Sequence, residues 1–158
     1  MNAPAFFGHA QPTHLEWITT ADGKRLRAGH WGKGEKGTII LFSGRTEFLE
    51  KYGETAQEFS ARGWGMAAVD WRGQGLSQRL LQDSEIGHVT DFAAYQHDVD
   101  AFLKFCAECD LPQPWVMFAH SMGGAIGLRA LHNGFHPAAA IFSAPMWDIE
   151  LRPALRLL

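Results

Sequence analysis

The sequence carries only two cysteines in 158 residues, Cys106 and Cys109, too few for a disulfide framework. It has no surplus of positive charge: 14 Lys and Arg stand against 17 Asp and Glu, which removes the electrostatic footprint of a nucleic-acid-binding domain. No apolar run approaches the roughly 20 residues of a membrane-spanning helix. The opening MNAPAFFGHAQP lacks the basic start and apolar stretch of a secretory signal. A cytoplasmic address is the expectation from these absences. Internal repeats and low-complexity tracts are missing too. What is present in quantity is aromatic, with six Trp and 11 Phe, which suits a thick core or a core plus an apolar ligand surface. The length suits one domain with a real core.

Residues 1–12 read as a loose arm, 13–147 as an α/β core, and 148–158 as the start of a further segment. HLEWITTADGKRLRAGHW (14–31) holds two strand-like runs around Asp22-Gly23, a strong hairpin signal. A regular alternation follows. TIILF (38–42) is a continuous apolar run, as expected of a strand buried on both faces. The segment 47–61 places Phe48, Tyr52, Ala56 and Phe59 at helical spacing. GMAAVDW (65–71) is the next strand and leads into the glycine-rich RGQGLS. Thr90 is placed to cap a helix reaching Cys109, with Phe92, Tyr95, Val99, Phe102, Leu103 and Cys106 on one face. WVMFAH (115–120), the helix MGGAIGLRALHNG (122–134) and AAAIFSA (138–144) complete the pattern. Such alternation predicts a mostly parallel sheet with helices on both faces and an antiparallel hairpin at its start.

Chemistry concentrates at Ala119-His120-Ser121-Met122-Gly123, a small-x-Ser-x-Gly pattern at a strand-to-helix junction. A nucleophilic serine must project from a tight turn, and small residues two before and two after let strand and helix pass closely. The helix that follows offers free N–H groups and a positive dipole end where an oxyanion forms. The plainer alternative is a serine that caps an ordinary helix.

Five motifs in order extend this signal: SGRTEFLEKY (43–52), DWRGQGLS (70–77), GHVTDFAAYQHDVDAF (87–102), AHSMGGA (119–125) and SAPM (143–146). With them the chain, from about Leu15 to Asp148, resembles the α/β-hydrolases of the bacterial lysophospholipase and monoacylglycerol lipase type. Ala119 replaces the commoner glycine of the elbow. Ser43-Gly44 stands where many lipases have His-Gly, a swap shared with the lysophospholipase branch.

The resemblance implies an α/β-hydrolase fold, no cofactor and no metal. It implies Ser121 as nucleophile and the backbone N–H groups of Met122 and Arg45 as oxyanion donors, with Gly123 and Gly44 as the elbow and loop glycines. It also implies that His120 packs into the sheet. The base must bond the serine oxygen in a fixed tautomer, and neighbours across a sharp turn diverge. In this superfold the triad runs Ser, then Asp or Glu, then His. That order discounts His88 and His97, and it leaves His132, His136 and Asp148, of which the histidines fall at the far end of a helix. The expectation is therefore a chain that stops before the lid and the last strands and helices, with base and acid beyond it. DIELRPALRLL (148–158) would open the lid, with Leu151, Leu155 and Leu158 on one side.

Other patterns read as structural. Gly32, Gly34 and Gly37 match G-x-G-x-x-G but lead into a strand rather than a helix. Cys106 and Cys109 sit at a helix end, not at the N-terminus that redox pairs exploit. His97, Asp98 and Asp100 read as a solvated helix face. Arg72 has two open partners, Asp70 or a substrate.

The implied function is ester hydrolysis through an acyl-enzyme on Ser121, acting on lysophospholipid or monoacylglycerol-like esters. Contact with the inner membrane surface is compatible with such a substrate. Two rivals stand beside it: a non-catalytic lipid- or partner-binding fragment of the same fold, and an enzyme passing its acyl group to an alcohol other than water.

Overall fold

A computed structural model describes residues 11–149. Residues 1–10 of the arm and the leucine-bearing end of the 148–158 segment lie outside the described residues. Strands β1 (His14–Thr19) and β2 (Arg25–Trp31) pair antiparallel from His14↔His30 to Thr19↔Arg25. Gly23, at φ 76°, makes the turn that Asp22-Gly23 predicts. Strands β3 (Thr38–Phe42), β4 (Gly65–Asp70), β5 (Trp115–His120) and β6 (Ala139–Ser143) follow. They form one six-stranded sheet in the order β1-β2-β4-β3-β5-β6. The pairs β3/β4, β3/β5 and β5/β6 are parallel, and β2 joins β4 antiparallel.

Both faces of the sheet's centre are covered, and the side-chain alternation of β3 shows why its run had to be apolar throughout. Ile40 and Phe42 point into a core shared with helices α2 (Tyr95–Glu108) and α3 (Met122–His132). Ile39 and Leu41 point into a second core with Leu49, Tyr52 and Ala56, from a short 3-10 turn (Leu49–Tyr52) and helix α1 (Gly53–Ser60). At the far edge, among the described residues, β6 pairs with β5 alone, and Ile141 is 45% exposed.

Three expectations need correction. The cap before α2 is Asp91, not Thr90: its side chain accepts from the Ala93 N–H at 2.8 Å and starts a 3-10 turn (Phe92–Ala94) ahead of the helix. Asp98 is not on a solvated face but fully buried, because Arg72 reaches it from the loop after β4. Arg72, in turn, does not pair with Asp70. It donates to Asp98 (Nε, 2.8 Å) and to both carboxylate oxygens of Asp22 (2.7 and 2.9 Å). Asp70 belongs to a separate network. It accepts from Arg27 Nε at 2.8 Å while Arg27 also holds Glu50 in a two-pronged bond at 2.6 and 2.8 Å. Asp70 also accepts from the Leu49 and Leu76 N–H groups. One buried carboxylate thus fixes the chain segments after β3 and after β4 to each other.

Candidate active site

Ser121 occupies the residue between β5 and α3, with φ 51° and ψ −118°. A non-glycine residue there is strained, on the order of 1–3 kcal/mol. Surrounding bonds hold it in place. Its N–H donates to the Ser143 carbonyl at 3.1 Å, and its own carbonyl accepts from the Gly124 and Met146 N–H groups at 2.9 and 2.8 Å. The small residues are required by contact. A Cβ on Gly123 would lie 2.1 Å from the Phe42 carbonyl oxygen, and one on Gly124 would lie 2.6 Å from the Pro145 Cβ. Ser121 makes no side-chain bond that would cap α3, so the capping alternative loses its support. Met122 opens α3, and its N–H lies at the positive end of an 11-residue helix.

The turn Ser43–Glu47 lies against this elbow. A Cβ on Gly44 would sit 3.1 Å from the Ser121 Cβ. The Ser43 carbonyl accepts from Trp71 Nε1 at 3.0 Å. The Gly44 N–H donates to Glu47 Oε2 at 2.6 Å, and the Thr46 N–H donates to Gln74 Oε1. Among the described residues the Arg45 N–H between them donates to no protein group, and its side chain is exposed. Among the described residues, Ser43 Oγ and Gln74 Nε2 are buried without a hydrogen-bond partner.

Glu47 is buried and accepts from the Tyr52 hydroxyl and from Lys51 Nζ at 2.8 Å. Burial pushes its carboxyl up, but the bonds from Lys51, Tyr52 and the Gly44 N–H outweigh this and hold it below its ordinary range. The Tyr52 hydroxyl is pushed up by burial and by the Glu47 carboxylate. Glu47 and Gln74 lie inside the motifs 43–52 and 70–77, with no pattern in the sequence that marks this role. The only local hint is the spacing of three residues from Gly44 to Glu47. Gln74 comes from 28 residues away.

His120 Nδ1 lies 3.0 Å from the Ser143 carbonyl, so its ring is tied to β6. His97, His132 and His136 are exposed, and among the described residues no histidine hydrogen-bonds Ser121. Asp148 is exposed, and its carboxylate accepts from the Ile149 N–H. Gly34 and Gly37 bridge each other in a loop before β3. The Cys106 thiol is pushed up by burial in the α2 core, and Cys109 less deeply so at the helix end. The ligand atoms of His14, Glu16 and Cys109 approach within 4.8 Å of one another, at the opposite edge of the sheet from β5 and β6. A cavity of about 380 Å³ opens beside the 43–47 turn, lined in part by Thr46, Phe48, Gln74 and Leu76; Ser121 does not line it. No helix among the described residues is long and apolar enough to cross a membrane.

Similarity to known proteins follows the same outline. The chain is 38% identical over 133 residues to lysophospholipase L2 of Escherichia coli K12, covering 81% of this chain and 37% of the relative. The chain thus spans little more than a third of that curated relative's length. The structure of a soluble variant of monoglyceride lipase from Saccharomyces cerevisiae, in complex with a substrate analog, superposes with a TM-score of 0.67 at 25% identity. It covers 99% of this chain and 50% of that one. The α/β-hydrolase GrgF from Penicillium sp. sh18 superposes with a TM-score of 0.73 at 22% identity, covering 93% of this chain and 50% of that one, and shares the fold. The model of the serine aminopeptidase S33 family matches residues 33–158. From the elbow and its facing turn to this match, the chain belongs to the serine aminopeptidase S33 family of α/β-hydrolases.

Proposed function

We propose that the protein is a serine hydrolase of lipid monoesters, lysophospholipids or monoacylglycerols, working through an acyl-enzyme on Ser121. The observation that carries this reading is the strained backbone of Ser121, at φ 51°, packed against the Ser43–Glu47 turn. Ser121 Oγ attacks the ester carbonyl carbon, and its proton passes to a histidine base outside the described residues. The carbonyl oxygen, now an oxyanion, accepts from the Met122 and Arg45 N–H groups. Collapse of this intermediate breaks the bond to the alcohol, which leaves with the proton. Water then attacks the acyl-enzyme by the same route and releases the fatty acid. One such donor is worth on the order of a hundredfold in turnover. The choice of a lipid ester rests on the lysophospholipase and monoglyceride lipase relatives.

A fluorophosphonate probe on the full-length protein tests the reaction class. Labelling at Ser121 that vanishes in Ser121→Ala supports it. A folded protein that takes no label overturns it and favours a binding role. Release of fatty acid from lysophosphatidylcholine or a monoacylglycerol, with no cleavage of aminoacyl anilides, tests the substrate class. The opposite pattern would place the protein among the peptidases of its family.

A further inference from the structure

The turn beside Ser121 has three successive N–H groups, on Gly44, Arg45 and Thr46, and two of the three are tied to buried side chains. Gly44 donates to Glu47 and Thr46 donates to Gln74. We infer that Glu47 and Gln74 are positioning residues that assign these amides, holding back two so that the Arg45 N–H alone is offered to the substrate oxygen. This inference rests on the reading of Ser121 as nucleophile.

The two acceptors approach from different parts of the chain. Glu47 closes the same turn and is itself fixed by Lys51 and Tyr52. Gln74 belongs to the loop after β4, where its N–H donates to the Trp71 carbonyl at 3.0 Å and its carbonyl accepts from Ser77 at 3.1 Å. Trp71 in turn bonds the Ser43 carbonyl, so both ends of the turn are anchored to one frame. Between the anchors Thr46 is held at φ 60°, a strained conformation for a β-branched residue that persists only where the surroundings over-determine it. An oxyanion donor works by being aimed before the charge develops, because then no reorganisation accompanies the reaction.

Gln74 adds an independent mark. Among the described residues its buried Nε2 has no hydrogen-bond partner, which costs stability. A side chain selected for packing alone would avoid that cost. What Gln74 gives in return is the single acceptor for Thr46.

The test compares Glu47→Gln and Gln74→Met in the full-length protein, reading the fluorophosphonate acylation rate constant, the labelled fraction at completion, and kcat and KM on a short-chain nitrophenyl ester. The result expected is a fall of about tenfold or more in acylation rate and in kcat, with KM and final labelled fraction unchanged. The melting temperature of Gln74→Met should be unchanged or raised, since Thr46 is an exposed residue and its freed N–H can turn to water. A normal rate in a smaller labelled fraction would mean the residues only support the fold, and would overturn the inference, as would unchanged rates in both variants. Should Glu47→Gln not fold, Gln74→Met decides alone by the same criteria. Absence of Ser121 labelling in the wild type would be a different failure, overturning the hydrolase reading and this inference with it.

Discussion

Gly44 and Ser121 meet backbone to side chain: a Cβ added at Gly44 would lie 3.1 Å from the Ser121 Cβ and 2.9 Å from Glu47 Oε2. Those two neighbours belong to the elbow and to the acceptor that holds the turn. Gly44→Ala must therefore displace one or both, and neither moves freely. Overpacking of this kind costs about 1–3 kcal/mol. Chemical denaturation of Gly44→Ala should show a loss in that range, and ester hydrolysis should fall by much more than the small loss of folded protein accounts for. Unchanged turnover would mean that the turn does not take part.

The backbone of Ser121 gives a sharper contrast. At φ 51° a glycine is unstrained, whereas alanine keeps the steric conflict that serine has. Ser121→Gly and Ser121→Ala should both abolish labelling. Ser121→Gly should nevertheless be the more stable of the two, by about 1 kcal/mol after the entropy that glycine adds to the unfolded chain. Paired urea titrations measure the difference directly. A more stable alanine variant would mean that the elbow relaxes.

The strands and the elbow were legible because their signals are local. A continuous apolar run defines β3, and glycine around a serine defines the turn. The ion pairs were not legible. Arg72 meets Asp98 from 26 residues away and Asp22 from 50, and sequence spacing says nothing about contacts that the sheet order creates. Asp98 reads as part of a solvated helix face with His97 and Asp100, whereas it is turned to a guanidinium arriving from another loop. Thr90 and Asp91 are both good caps, and only the geometry of the turn chooses between them.

Arg72 provides the strongest electrostatic prediction. It is buried, and its bonds to Asp22 and Asp98 outweigh the cost of that burial and raise its affinity for the proton. Arg72→Met would leave the fully buried Asp98 carboxylate without its cation. Removing one partner of a buried pair costs about 3–5 kcal/mol. The double variant Arg72→Met, Asp98→Leu should recover much of that loss, since the carboxylate left without its cation, Asp22, is partly exposed and no fully buried charge remains. A thermal-denaturation cycle over the four proteins reads the coupling, and additive effects would contradict the pairing.

Glu47 carries the pH dependence of the turn. Burial alone would push its carboxyl up, but Lys51, Tyr52 and the Gly44 N–H hold it below its ordinary value of 4.5. A carboxyl depressed in the folded state binds its proton more readily in the unfolded chain. It therefore stabilises the fold at pH above that ordinary value, and the contribution is lost as pH falls through the lower folded value. Glu47→Gln has no proton to gain there. Its melting temperature should lie below that of the wild type at pH 7, and the gap should narrow as pH falls below about 4.5. Melting curves for both proteins between about pH 3 and 7 provide the check. Parallel curves across that range would mean that Glu47 does not hold a depressed carboxylate. The hydrogen bond from the Gly44 N–H would then lack the charge that makes such bonds strong.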